Sequence, residues 1–279
     1  MLLETLGPEK YIPTTLLLLA EKGSQANEKN KTAITGFAAD LVNSFAIAAR
    51  LTAISSFLSL ILSIPRTPDE ESNLPIDVKT LSKETLAALR LASLAMVAQV
   101  VESRSLQAGV SRAFAAGDAT FVEFDYFSPI VEKLLLLTAK KRKDTAKLAH
   151  AAMDGVFSVL PIQMVTTIVE TFIKSNKDVK VTTNMITIAS DRLAKTSTSD
   201  GSTKSALSLL LTLLKDVVES GDVESSVTAL GCVGRLSRVH GKSDLTVFES
   251  MVQSVVSHGV NSGDVIVQDA AVECLLAML

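Results

Sequence analysis

Apolar residues recur at helical spacing along most of the chain, and no stretch alternates apolar and polar residues as a strand would. Within 81–101, for example, Leu86, Leu89, Met96 and Val100 are separated by three, seven and four residues. This spacing places the four side chains on one face of an α-helix. The pattern therefore predicts an all-α protein with a helix content above about 70%.

Prolines, glycines and polar clusters divide this pattern into segments. Helices are predicted over approximately 8–21, 32–64, 81–101, 128–141, 144–160, 161–175, 178–195, 203–219, 223–239, 244–259 and 265–279. The segment 32–64 is expected to break near Asn43 or Ala49, and Ser128 is expected to cap the helix that it opens. The prolines within 65–80 predict a flexible linker there.

An internal repeat near the C-terminus indicates how these helices are arranged. The string Ser220–Val223 recurs letter for letter as Ser262–Val265, 42 residues later, and Cys232 aligns with Cys274 at the same offset. A period near forty residues without strands is typical of two-helix repeats of the HEAT or armadillo kind. Proteins of this kind bind along an extended surface and usually serve as scaffolds.

Aspartates mark the predicted start of the second helix in successive repeats. They are Asp144, Asp178, Asp222 and Asp264, at spacings of 34, 44 and 42 residues. An aspartate at such a position can accept hydrogen bonds from the unpaired N–H groups of the first helical turn. We therefore predict one continuous α-solenoid of HEAT-like helical-hairpin repeats over 1–279, with the more regular repeats in 127–279.

Composition adds little about chemistry. The net charge of −3 implies no global attraction to nucleic acid, although a local basic patch could still bind it. Two cysteines do not form a disulfide framework, and the equivalent positions of Cys232 and Cys274 predict two small core residues. A metal or redox pair is the alternative. Reduced cysteines suit the cytosol or nucleus.

No membrane segment or signal peptide is predicted. The longest uncharged stretches, 51–65 and 155–169, are shorter than the roughly 18–20 residues that a membrane span requires. Glu4, Glu9 and Lys10 interrupt the apolar residues at the N-terminus, and no basic region precedes them.

Two tracts resemble a known family. The first runs from Val159 to Ile173, with Leu-Pro opening a helix, and continues into Asn-Lys-Asp-Val-Lys at 176–180. The second is Leu2–Tyr11 with the leucine run that follows. Both resemble the large nucleolar HEAT-repeat scaffold of the small-subunit processome, the family of U-three-snoRNA-associated protein ten, also called HEAT repeat-containing protein one.

The resemblance implies that the chain is one internal piece of a very large helical protein of the nucleolus in the nucleus. It also implies a non-catalytic scaffold function in ribosome biogenesis, in which the partners are other processome subunits and pre-ribosomal or small nucleolar RNA. The alternative is a nuclear transport receptor or a trafficking or coat HEAT-repeat adaptor. The HEAT pattern departs from the usual one, because the arginine that commonly follows an early valine of the second helix is absent.

The sequence predicts no catalytic, metal, cofactor or small-molecule site, and the chain is not expected to be an enzyme. His150, His240 and His258 lie in no cluster with metal-ligand spacing. The string Gly231–Gly234 resembles a glycine-rich loop, but the repeat alignment places it inside a helix. Close helix packing explains these glycines more simply.

One basic cluster stands out from the background. The candidate residues for binding RNA or an acidic partner are Lys140, Lys141, Arg142, Lys143, Lys147, Lys174, Lys177 and Lys180. They fall at two successive turns, and equivalent turns of a solenoid line up along one edge. Such a ridge could bind phosphates without reading sequence. The alternatives are an ordinary solvated turn and a nuclear localisation signal.

Overall fold

The computed structural model describes residues 12, 15–23, 28–65, 67–70, 74, 77–117, 125–138, 143–175, 179–196, 201–242 and 245–279. The structure is 85% helical, and no strand occurs in the ranges just given. The predicted all-α fold is therefore confirmed. The chain forms two compact units, Met1–Val159 and Leu160–Leu279.

The first unit contains six described α-helices. They are α1 (Glu28–Asn43), α2 (Ile47–Ser63), α3 (Lys83–Val101), α4 (Arg104–Ala115), α5 (Ser128–Thr138) and α6 (Lys143–Val159). The predicted break of the long apolar segment falls at Asn43. A π-helical turn, Leu19–Gly23, precedes α1, and a 3₁₀ turn, Val78–Thr80, precedes α3.

Helices of the first unit pack in two layers. Helices α1, α3 and α6 stack on one another in chain order, and α2 packs on α5 in the second layer. Contacts of α2 with α3 and of α5 with α6 join the layers as helical hairpins, while α4 packs against α2, α3 and α6. This arrangement is that of an α-solenoid built from helical hairpins.

Two cations connect elements that are distant in sequence in this unit. Arg90 on α3 is buried and donates from Nη2 to the carbonyl oxygens of Ile64, at 2.7 Å, and Pro65, at 3.2 Å. Lys133 on α5 donates from Nζ to the hydroxyl and the carbonyl oxygen of Ser55 on α2, at 2.7 and 3.0 Å. Partial burial lowers the pKa of the Lys133 amine.

Helix α3 is long and apolar enough to cross a membrane by length and composition alone. Its place between α1 and α6 and its buried residues, Arg90 among them, are those of a core helix in a packed unit. A buried charge with carbonyl partners is characteristic of a protein interior.

The second unit repeats the two-layer construction more regularly. Its described α-helices are α7 (Ile162–Ser175), α8 (Val179–Ala194), α9 (Gly201–Glu219), α10 (Val223–His240), α11 (Leu245–Ser254) and α12 (Val265–Met278). Helices α7, α9 and α11 form one layer, and α8, α10 and α12 form the other. We call the latter the second-helix layer, because its members are the second helices of the hairpins α7–α8, α9–α10 and α11–α12.

Two of the predicted aspartate caps are confirmed. Asp222 accepts a hydrogen bond from the Ser225 amide at 2.9 Å, and Asp264 accepts one from the Ile266 amide at 2.9 Å. Asp144 lies in the first turn of α6, so its predicted position at the start of a helix is confirmed, but its side chain accepts no amide hydrogen bond among the described residues. Asp178 lies outside the described residues.

The cap predicted at Ser128 is wrong. Asp125 Oδ1 accepts from the amides of Phe127 and Ser128, at 3.1 and 2.9 Å, and thereby satisfies the start of α5. A carboxylate two or three residues upstream reaches these N–H groups from outside the helix, as in an Asx turn.

The predicted linker is described only in part. Its described residues are Pro65, 67–70, Leu74 and 77–80; Leu74 is buried, and the segment ends in the 3₁₀ turn. The linker and the continuity of the solenoid over 1–279 stay predictions.

Candidate functional site

Few residues of the predicted basic cluster lie in the part of the chain that the structure describes. Lys143 is the first residue of α6, and Lys147 follows one turn later; both are exposed. Lys174 lies in the last turn of α7, and Lys180 lies in the first turn of α8. Lys140, Lys141, Arg142 and Lys177 are outside the described residues.

The sequence of α6 explains the exposure of its two lysines. Thr145, Ala149 and Ala152 are buried at spacings of four and three residues, and Met153 is buried beside them. Burying this face turns positions 143 and 147 toward solvent. The exposed amines can attract an anionic partner, but the alignment of this turn with the next one stays a prediction.

A groove in the second-helix layer of the second unit was not predicted. It lies between α10 and α12, has a volume of about 400 Å³, and is open to solvent. Its lining includes Leu230, Gly231, Gly234, Arg235, Arg238 and Glu273. Gly231, Arg235 and Arg238 lie at positions i, i+4 and i+7 and therefore share one face of α10.

Two glycines of α10 line this groove. A Cβ added at Gly234 would lie 3.4 Å from the Cβ of Ala277 on α12, an ordinary van der Waals distance, so α10 and α12 are in contact there. A Cβ added at Gly231 would meet only Arg235 Nη1, at 3.8 Å. The two helices therefore touch at Gly234, whereas Gly231 leaves the backbone of α10 open to solvent. The prediction that both glycines lie inside a helix is confirmed by α10, but the close packing predicted for them is wrong at Gly231, which is exposed.

One arginine of the groove is held in place and the other is not. Arg235 Nη2 lies 3.0 Å from Asp191 Oδ1 on α8 and donates to the sulfur of Cys232 at 3.2 Å. The thiol of Cys232 in turn lies 3.7 Å from the hydroxyl of Thr187 on α8. Arg238 is exposed and has no hydrogen bond or ion pair among the described residues.

The cysteines behave as predicted core residues. Cys232 and Cys274 are both buried free thiols, on α10 and α12. Burial raises the pKa of Cys232 despite the nearby Arg235, and it raises the pKa of Cys274 to about 12. A thiol of raised pKa is a poor nucleophile and a poor metal ligand at neutral pH.

One of the three histidines is buried in the fold, and the other two are at least partly exposed. His240 is buried at the end of α10, and its Nε2 lies 3.1 Å from the carbonyl oxygen of Leu193 near the end of α8. His258 is exposed, and His150 is half-buried. Within the described residues, no group of three or more His, Cys, Asp or Glu side chains could hold a metal ion.

Comparison with curated proteins gives matches along the whole chain. The chain is 25% identical over 284 residues to U3 small nucleolar RNA-associated protein 10 of Phaeosphaeria nodorum, covering 100% of this chain and 16% of that protein. The proteins of the same name from Schizosaccharomyces pombe and Pyricularia oryzae are each 23% identical, over 100% and 88% of this chain and 17% and 14% of their own lengths. The resemblance predicted from two short tracts is thereby confirmed.

Two further comparisons add no functional information. No protein-family profile matches the chain. Among solved structures, a designed armadillo repeat protein in complex with the peptide (KR)4 is similar, with a TM-score of 0.42 and 11% identity over 96% of this chain and 99% of that one. The fold is defined by the helix contacts within each unit, not by this distant likeness.

Proposed function

Because the chain is similar from end to end to U3 small nucleolar RNA-associated protein 10 of several fungi, we propose that it is a non-catalytic scaffold segment in ribosome biogenesis. In this function it supports transcription and processing of pre-ribosomal RNA and assembly of the small-subunit processome in the nucleolus. The observation that carries the proposal is the coverage of 100% of this chain in two of these matches. The chain spans only 14% to 17% of the relatives' length. The function of the whole protein to which this chain would belong is therefore also a proposal.

The construction of the two units fits a scaffold. Each unit buries apolar residues between neighbouring hairpins and leaves the outer faces of both helix layers available. Such layers offer long binding surfaces with little chemistry of their own. The partners that we propose are other processome subunits, with no membrane and no small-molecule substrate.

RNA binding through the basic cluster is a second part of the proposal. Lys143 and Lys147 are exposed at the start of α6, and Lys140, Lys141 and Arg142 precede them directly in sequence. Clustered cations bind the phosphate backbone largely independently of base sequence. No aromatic residue alternates with these lysines, so the binding would not depend on base stacking.

Affinity purification of the natural full-length protein that contains this chain tests the scaffold function. Processome subunits and precursor ribosomal RNA should be recovered together, and depletion of the protein should lower the amount of small-subunit precursor. A matched strain in which residues 160–279 are deleted, one compact unit, tests whether this segment contributes to the recovery. Recovery of Ran or of coat subunits in place of processome proteins would favour the transport or coat alternative and contradict the proposal.

A further inference from the structure

The groove between α10 and α12 has features of a binding site for a protein segment. Arg238 is an exposed guanidinium without an ion pair among the described residues, and Arg235 is already oriented by Asp191 at 3.0 Å. Because Asp191 already pairs with Arg235, the guanidinium available to a partner's carboxylate is that of Arg238. Arginine is also over-represented among residues that dominate binding energies.

Carboxylates beside the groove argue against a nucleic acid as its occupant. Asp191 pairs with Arg235 at one side, and Glu273 lines the other side. Two arginines and two carboxylates leave no net positive charge. A phosphate chain running along the groove would pass close to both acids, and like charges repel. A single carboxylate placed at Arg238 avoids this repulsion.

The remaining surface of the groove is apolar or backbone. Val227 and Ala270 are half-buried and contribute apolar atoms, and Gly231 leaves the helix backbone uncovered. An aliphatic side chain next to the bound carboxylate could lie on this surface and release water. The volume of about 400 Å³ suffices for a few side chains.

We propose that the groove between α10 and α12 binds a short segment of a partner protein in which an acidic residue adjoins an aliphatic residue, with the carboxylate at Arg238 and the aliphatic side chain over Gly231. This inference deepens the proposed scaffold function by naming the kind of partner segment. It can fail while that function stands, because its test uses the isolated chain and requires no processome component.

The test is a methyl nuclear magnetic resonance titration of the 279-residue chain with the peptide acetyl-Ser-Glu-Leu-Ser-Ser-amide, which carries one carboxylate beside one aliphatic residue. The methyl groups of Val227 and Leu230, which line the groove, should shift in a saturable manner. Arg238→Glu should weaken binding about tenfold, since loss of an ion pair and the new repulsion act together. Gly231→Leu should abolish binding, because the leucine side chain would fill the open space over Gly231 that the partner's aliphatic side chain occupies in the proposal.

Controls separate the groove from general electrostatics. Arg104→Glu makes the same charge change at an exposed position on α4 in the other unit and should leave binding unchanged. The peptide with lysine in place of glutamate should not bind. Unchanged binding by Arg238→Glu, no shift of the two methyl groups, or larger shifts with an oligouridylate than with the peptide would each overturn the proposal.

Discussion

Arg90 is a charged side chain in the middle of an apolar helix, and its partners are carbonyl oxygens just beyond the end of α2. The last carbonyl groups of a helix lack partners within it and carry partial negative charge. The guanidinium of Arg90 donates to the carbonyl oxygen of Ile64, the C-cap residue of α2, and to that of Pro65, which follows it, and these bonds stabilise the buried charge. Arg90 thus holds the first residues after α2 against α3.

Replacing Arg90 by Met should destabilise the protein by about 1–3 kcal/mol, because buried carbonyl groups lose their donors. Urea unfolding followed by circular dichroism measures the change. Arg104→Met, at an exposed position, is the matched control and should shift stability by less than about 0.5 kcal/mol. Equal stability of the two variants would show that the Arg90 contacts contribute nothing.

Because the buried thiol of Cys274 ionises less readily than an unfolded thiol, the free energy of unfolding should decrease at alkaline pH. Its native pKa is about 12, whereas an unfolded thiol ionises near pH 8.5. Between these values the native state retains a proton that the unfolded state has lost, so the free energy of unfolding falls as pH rises. Unfolding midpoints of the wild type and Cys274→Ala should differ by a constant amount below about pH 8 and converge above it. Parallel curves up to pH 10 would contradict this expectation.

At the scale of elements, glycine determines how closely helices approach. Gly259 lies in the π-helical turn Val255–Val260 that continues α11, and a Cβ added there would lie 2.7 Å from the Cβ of Ala271 on α12. Real Cβ atoms do not approach so closely, so the two helices would have to separate. The hairpin α11–α12 therefore depends on the absence of a side chain at position 259.

Gly259→Ala should cost about 1–3 kcal/mol through overpacking of this hairpin. Gly263→Ala is the matched control, since a Cβ at Gly263 has nothing within 4 Å. The control should be neutral or slightly stabilising, because alanine restricts the unfolded chain. Thermal unfolding of both variants checks the comparison, and equal melting temperatures would disprove the close contact.

Sequence was sufficient for features that depend on local pattern. Helical periodicity located the helices of the second unit and most of those of the first, although it missed α4, and the 42-residue echo placed Cys232 and Cys274 in the core. It was insufficient where a neighbour in space decides the outcome. Asp125 satisfies α5 in place of Ser128, and the groove lies where α10 contacts α12 at Gly234 but leaves Gly231 uncovered. Gly231 and Gly234 were the only sign of the groove in the sequence, but the position of α12 decides which of the two glycines is covered.

At the scale of the whole molecule, charge is nearly balanced, so any affinity for RNA must arise locally. The chain has 27 basic and 30 acidic residues. Its densest positive segment is Lys140–Lys143, with Lys147 exposed one turn into α6. An RNA-binding function of this chain is therefore expected to depend on that segment.

Changing Lys140, Lys141, Arg142 and Lys143 to Glu should abolish RNA binding, which in the wild type should be weak, independent of sequence and strongly reduced by salt. Fluorescence anisotropy with an oligouridylate at low and moderate salt measures the binding. The control changes four scattered exposed lysines to Glu: Lys29, Lys79, Lys195 and Lys204. Equal loss in both variants would indicate net charge alone, and equal binding by the cluster variant and wild type would exclude the cluster.

The two-layer stacking within each unit also affects how the protein is made. Helix α10 contacts α8 and α12, each only one hairpin away along the chain, and the same holds for α3 between α1 and α6. Structures dominated by contacts of short sequence separation fold quickly and can grow from one end. A hairpin emerging from the ribosome can therefore pack on the preceding one while the rest is still being synthesised, which shortens the time for which its apolar face is open to aggregation.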